Sequence, residues 1–378
     1  MGYKLRAVAI AEGERPWMNV ELVKECGIVP YLLHRNHGVD VTIVGAPNEA
    51  GYPYLELLEG LKMEFLADGK LATKLKYITE NAESIDILIL RGINYDSLEV
   101  TRAYKSANTK GIIYCGLDIN SDYADRIPFY QSPYREFFEA MDVMGASCKK
   151  ITDFLNDKWY WNVECIRNGY YDVIRKTSRV ERVDFDSREK IILYVGRINM
   201  DQKASNELVR AFIMASGEIP EWRLRLVGPY TEDFEAFYRK ISIENPDLSE
   251  RIELAGNIDN RNLLHTEYEK AQLFATTSYF EGGTPNALAE ALCSGLAMAV
   301  TKVDAYEDII GEDESGMSVD IGDIAGFAEM LIKLCNEADI RQMSENAYRR
   351  GNEFFNMENI VSELYDKIAE RIATGDAE

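Results

Sequence analysis

The chain has 378 residues, more than one ordinary hydrophobic core accommodates and the right length for two domains. With 46% hydrophobic and 28% charged residues it has the composition of a soluble globular protein, and a formal net charge of −22 argues against a general nucleic-acid binder. The charge is uneven: residues 1–180 hold 22 Lys/Arg against 25 Asp/Glu, net −3, and the remainder holds 20 against 39, net −19. The first half can therefore approach an anionic lipid or acceptor without strong repulsion, which leaves a peripheral membrane contact open. Plain solubility accounts for the same asymmetry.

The first strand is expected at Leu5 to Ala11. It is too short for the apolar core of a signal peptide, and charges follow it at once. Arg6 stands where N-myristoylation needs Ser or Thr. Val20 to Gly27 leads into an apolar run, Ile28 to Leu33, that starts a helix. Strands follow at Asp40–Gly45, Asp86–Leu90 and Gly111–Cys115, each a short apolar run bounded by turn residues. The segments between them, such as Tyr54–Leu66 and Leu98–Ala107, are long enough for helices. Asp142–Ala146 and Val163–Arg167 would be the last strands of a first α/β domain with a parallel sheet.

Arg175 to Lys190 is dense in charge and poor in large apolar residues, the composition of a linker. The alternation then restarts. Strands are expected at Ile191–Gly196, Arg223–Gly228, Arg251–Gly256, Leu273–Thr277 and Ala297–Thr301. Helices are expected at Lys203–Ser216, Glu232–Ile243, Leu263–Lys270, Pro285–Ser294 and Asp323–Asn336, and two more between Ile340 and Arg371, broken near Phe355-Asn356. The expected domains are 1–175, a linker 176–190, 191–355, and a C-terminal helix 356–378 that can cross back to the first domain. Ligand loops at the carboxyl ends of parallel strands would then line a cleft between domains.

Six scattered cysteines without a C-x-x-C fit reduced thiols in a cytoplasmic protein. Three histidines make a His-rich zinc site unexpected. No stretch approaches the length of a membrane-spanning helix.

Chemistry concentrates in Tyr279-Phe280-Glu281-Gly282-Gly283-Thr284-Pro285-Asn286-Ala287, continuing through Glu290 to Gly295. It lies between two strands, so it belongs to a right-handed crossover. Thr284 reads as the N-cap, Pro285 as the first helical residue and Gly295 as the left-handed residue that ends the helix. Gly282 and Gly283 leave bare backbone ahead of a helix N-terminus, where the dipole favours an anion, phosphate above all. Glu281 lies in the loop and Glu290 inside the helix. A capped helix with two exposed glutamates is the plain alternative. Upstream, the strand Ile192–Val195 ends in Gly196-Arg197, and Lys203 follows at a helix start. Two cations there suit an anionic ligand; two plain surface charges are the alternative.

These motifs resemble retaining glycosyltransferases of the GT-B fold, the family four type of bacterial polysaccharide assembly. In that family the second Glu holds the nucleotide ribose and the first lies against the donor sugar; here they are Glu290 and Glu281. The family's glutamates are usually eight positions apart, and here they are nine apart, with the extra residue in 282–284. Arg197 and Lys203 match the family's diphosphate-binding pair, and the usual Gly after the Lys is Ala204. Catalytic roles are thus implied for Glu281, Arg197 and Lys203. Donor contacts are implied for Glu290, Gly282, Gly283, Thr284, Pro285, Asn286, Ala287, Gly196, Gly228, Asn257 and Ile258. Gly27, within Glu25-Cys26-Gly27, resembles the glycine loop on the acceptor side, although it is as easily a helix-entry glycine. Asp118 and Asn120 sit where a residue near the donor sugar is often found; an Asx-turn explains them equally. Arg167-Asn168-Gly169 matches a turn closing the first domain.

The resemblance implies an α/β chain of two Rossmann-like parallel-sheet domains facing across a cleft. It would move a sugar from a nucleotide-diphospho-sugar, UDP favoured over GDP, to a glycan, lipid-linked or protein acceptor. It would do so with retention, by front-face attack and without a metal or other cofactor. A sugar-nucleotide epimerase of the same fold and a non-catalytic glycan-binding or partner subunit are the alternatives.

Overall fold

Apolar strands alternate with amphipathic helices, and each strand returns in the same direction, so the chain builds two all-parallel sheets. The computed structural model describes residues 4–248 and 250–375. The chain divides into two units: Met1–Thr177 with Met357–Glu378, and Ser178–Asn356.

The first unit runs through β1 (Arg6–Ile10), α1 (Glu25–His37), β2 (Asp40–Gly45), β3 (Lys62–Phe65), α2 (Leu71–Asn81), β4 (Ile87–Arg91) and α3 (Tyr95–Ala107). It continues with β5 (Ile112–Leu117), α4 (Ser121–Arg126), α5 (Tyr134–Glu139), β6 (Val143–Ala146), α6 (Lys149–Trp159) and β7 (Val163–Cys165). Its sheet order is β3-β2-β1-β4-β5-β6-β7, with Ala7 beside both Val41 and Ile87. The direction of strand addition thus reverses between β1 and β4.

The second unit holds β8 (Glu189–Val195), α7 (Ser205–Ala215), β9 (Arg223–Val227), α8 (Glu232–Glu244), β10 (Ile252–Gly256), α9 (Arg261–Lys270) and β11 (Ala271–Thr276). Then come α10 (Asn286–Cys293), β12 (Ala297–Thr301), α11 (Tyr306–Ile310), β13 (Gly316–Val319), α12 (Ile324–Asn336) and α13 (Ile340–Phe354). The order is β10-β9-β8-β11-β12-β13, reversing between β8 and β11. The last helix, α14 (Met357–Gly375), belongs to the first unit: Met357, Val361, Leu364 and Ile368 are buried in its core, and Tyr365 stacks on His37 of α1 at 4.1 Å.

One expectation fails and another holds only in part. Tyr54–Leu66 is not a helix: a short 3₁₀ turn at Pro53–Leu57 ends before Gly60, and Lys62–Phe65 pairs with β2 as an edge strand. Its side chains are largely exposed and Lys62 bonds Asp40 at 2.6 Å, so it lacks the apolar run that marks an inner strand. The charged stretch 176–190 is a linker only in part: the division between the units falls at Thr177/Ser178, inside it, and the remainder packs into the second unit. Ser178 and Val180 are buried, Tyr348 donates to the Val180 carbonyl at 2.8 Å, and Phe185 lies under the Arg341 guanidinium. Its densest charge, Arg188, is buried: it donates to the carbonyls of Tyr268 at 3.0 Å, Ala271 at 2.8 Å and Ser294 at 2.5 Å. Burial pulls its pKa down to about 10, and three carbonyls at the ends of α9 and α10 supply the compensation. Among the described residues no helix is long and apolar enough to cross a membrane.

Candidate functional site

The reversal between β8 and β11 opens a crevice at the carboxyl ends of those strands, where open α/β sheets bind ligands. The chain leaves β8 through Gly196 and folds back because the buried Tyr194 hydroxyl donates to the Arg197 carbonyl at 2.7 Å. The Arg197 side chain is exposed and gives one N–H to Gln202 Oε1 at 2.7 Å. Asn199 then shapes the turn into α7: its Oδ1 accepts from Lys203 N and its carbonyl from Ser205 N. Ala204, between them, is fully buried with φ 46° and ψ 39°, a left-handed conformation at the head of α7. A position that needs this conformation is one where glycine is free of strain and alanine is not, which gives the glycine usual in the resembling family a physical reason.

The loop after β11 is stitched to this turn. Tyr279 N donates to the Gln202 carbonyl at 2.9 Å, and Thr277 Oγ1 to the Ala204 carbonyl at 2.9 Å. The result brings Lys203 and Glu281 together, 78 residues apart in sequence: Lys203 Nζ donates to both carboxylate oxygens, at 2.6 and 2.8 Å. The pair is largely withdrawn from solvent, with side chains 15% and 9% exposed. An ammonium has three N–H donors, so the third remains for another acceptor.

Beyond Glu281 come Gly282, Gly283 and the buried Thr284. Here the sequence expectation shifts by one residue. Pro285 is the N-cap, extended at φ −64° and ψ 134°, and α10 begins at Asn286 and Ala287; Thr284 precedes the cap. Proline's fixed φ suits either place, and the extended ψ is what lets the glycine pair deliver the chain to the helix start. The positive end of α10 therefore points at this loop. Gly295, at φ 72°, ends the helix as expected.

Glu290 lies inside α10 and is gripped from α9. Arg261 Nη2 donates to Oε1 and the Tyr268 hydroxyl to Oε2, both at 2.7 Å. Gly228, after β9, packs on the Gly196 turn: a Cβ there would stand 1.8 Å from the Gly196 carbonyl oxygen, so no side chain fits. Asn257, after β10, is exposed and bonded to Asp259, with Ile258 half-buried beside it. Sequence reasoning passed over Arg261, Tyr268, Asn199 and Arg188. Arg261 and Tyr268 stand seven apart on one helix, a spacing that puts both on one face, and this was the available signal.

The first unit has a pocket between α1 and the strands β4, β5 and β6, lined by Glu25, Cys26, Arg91, Tyr114, Asp118 and Asn168 among others. Arg91 bridges Glu25 and Asp118. Gly27 is the third residue of α1 and turns away from this pocket: a Cβ there would meet the Leu22 carbonyl at 2.3 Å, so tight helix entry accounts for it. Asn120 is the N-cap of α4, its Oδ1 accepting from Tyr123 N at 2.7 Å. Glu12, beyond β1, was not foreseen. Burial pushes its carboxyl up to about 7 although Arg91 pulls it down; Asp118, Glu25 and Glu21 add to the rise.

Residues 189–337 match the model of the family described as glycosyl transferases group 1, a match lying wholly in the second unit. An uncharacterised glycosyltransferase of Methanocaldococcus jannaschii is 23% identical over 274 residues, 67% of this chain and 65% of that protein. A lipopolysaccharide 1,6-galactosyltransferase of Escherichia coli is 33% identical over 147 residues, 37% of this chain and 38% of that protein. The chain thus spans less than two thirds of the length of either relative. Among solved structures, HepE of Anabaena in complex with UDP superposes with a TM-score of 0.73 at 12% identity, covering 97% of this chain and all of that one. The fold is the GT-B fold, two Rossmann-like units of α/β class.

Two outcomes follow from the strained and buried groups. Ala204→Gly is expected to stabilise the second unit by about 0.5–1 kcal/mol, the relief of left-handed strain less the added entropy of the unfolded chain. Thermal unfolding should show a Tm higher by about 2 °C; an unchanged or lower Tm contradicts the strain. For Glu12, the folded state keeps a proton between the ordinary 4.5 and about 7 that the unfolded chain has lost. Its contribution is intact below that window and is lost as pH rises through it. Glu12→Gln should therefore gain on the wild type across that window by up to about 3 kcal/mol, read as the gap between denaturant midpoints; a pH-independent gap rules this out.

Proposed function

We propose that this chain is a retaining glycosyltransferase that takes a sugar from a nucleotide-diphospho-sugar, UDP favoured, and adds it to a hydroxyl acceptor in polysaccharide or glycoconjugate assembly. The observation that carries the reading is the Lys203–Glu281 pair set between Arg197 and the glycine-flanked start of α10. Such a place suits a diphosphate: two cations and a helix dipole face the group on which negative charge grows as the anomeric C–O bond breaks. Glu290, deeper in α10, is the candidate for the ribose hydroxyls, and Glu281 for the sugar. HepE binds UDP in its crystal structure, and the two relatives named above are glycosyltransferases, which supports a nucleotide-sugar donor. The acceptor proton leaves with the departing phosphate in the front-face scheme, so no separate base is required. Arg197 and Lys203 carry the charge that a metal would otherwise meet. The pocket around Asp118 and Arg91 is the candidate acceptor side.

The direct experiment is calorimetric titration with UDP and GDP, followed by assay of UDP-sugar hydrolysis with and without glycan or lipid-linked acceptors. Activity should persist in EDTA, and the product anomer, read by NMR, should match the donor. Failure to bind any nucleoside diphosphate refutes the reading.

Variants resolve the roles. Arg197→Ala and Lys203→Ala should each cost about 1.5–3 kcal/mol in kcat/KM, the range for a hydrogen bond to a charged group, with the loss mainly in kcat. Glu281→Gln removes a carboxylate from the Lys203 ammonium, so UDP affinity should hold or rise while transfer falls. Glu290→Gln should weaken UDP itself. The reverse pattern for the two glutamates overturns their placement.

A further inference from the structure

Glu290 projects from a helix, where a glutamate ordinarily samples several rotamers. Here its carboxylate is held at both oxygens by one neighbouring element, α9, through Arg261 and Tyr268. A carboxylate has about four acceptor positions, and these two bonds leave one on each oxygen. Two acceptor positions side by side are what a vicinal diol requires. Tyr268 is itself fixed: it is 2% exposed, its ring stacks on Phe274 at 6.1 Å and 17°, and its carbonyl is held by Arg188. Arg188 also holds Ser294 at the end of α10, so the two helices are joined independently of the Glu290 contacts. Those contacts are therefore not needed to dock α9 on α10.

We propose that Arg261 and Tyr268 are positioning residues that aim Glu290 at the 2′- and 3′-hydroxyls of the donor's ribose and thereby set selectivity for a ribonucleotide. The inference rests on the donor reading given above. Arg261 also balances the Glu290 charge, so that the carboxylate can sit near a diphosphate without repelling it.

The test is calorimetry with UDP and 2′-deoxy-UDP on the wild type, Tyr268→Phe, Arg261→Gln and Arg261→Lys. Wild type should prefer UDP. Tyr268→Phe should lose about tenfold in UDP affinity and leave 2′-deoxy-UDP nearly unchanged, so that the preference collapses; Arg261→Gln, which also removes a charge, should weaken both nucleotides but UDP about tenfold more, and Arg261→Lys should restore part of the preference. A merely structural role predicts equal losses for both nucleotides, and that result overturns the proposal, as does an unchanged preference in both variants. If one variant does not fold, the other decides. A wild type that binds UDP but shows no preference removes Glu290 from the ribose while leaving the donor reading intact. A wild type that binds neither UDP nor GDP overturns the donor reading and this inference with it.

Discussion

A parallel strand must be followed by a crossover that carries the chain back to its starting edge, so every loop leaving a carboxyl end collects on one side of the sheet. At a reversal of strand order two such loops diverge to opposite faces and leave a crevice. In the second unit the reversal lies between β8 and β11, and Arg197, Lys203, Glu281 and Glu290 come from the loops and helices that follow those strands. Arg188 fixes the next level. Its buried guanidinium gathers the carboxyl ends of α9 and α10, the two helices that meet at Glu290. A charged group in that position is tolerated because helix ends offer carbonyls at the negative pole of the dipole.

Electrostatically the site is assembled in pairs. Each carboxylate comes with its own cation: Glu281 with Lys203, Glu290 with Arg261. Arg197 is then the surplus charge. This matters because the site lies on the strongly acidic half of the chain, net −19 against −3. Two unit charges at 4 Å interact by about 4 kcal/mol at an effective dielectric of 20, so one uncompensated glutamate would offset much of what a phosphate gains from Arg197. Local pairing lets an acidic surface contain an anion site.

Much of this was legible in the sequence because the inner strands are continuous apolar runs, which only a sheet covered on both faces permits. The β8 and β11 motifs could be read because glycines and a proline punctuate them. β3 was missed because an edge strand carries exposed, charged side chains and resembles the helix-length segment around it. The linker was drawn too long for a related reason: Arg188 counts as charge in a composition, and only the fold shows three carbonyls waiting for it. Pairings such as Lys203–Glu281 and Arg261–Glu290 join distant segments, and no local pattern encodes them. Ala204 shows the opposite case, where a departure from an expected glycine had a meaning that backbone geometry alone supplies.

The chain leaves the first unit after Thr177 and re-enters it at Met357, so the second unit is, in connectivity, an insertion within the first. On a ribosome the inserted unit has its full sequence before the outer one does. Until α14 emerges, the face of α1 that carries Arg35 and His37 lacks Glu358, Ser362 and Tyr365, its later neighbours. The outer unit therefore spends the synthesis of the inner one with apolar surface uncovered, in the state that chaperones recognise, and it closes only once α14 has emerged.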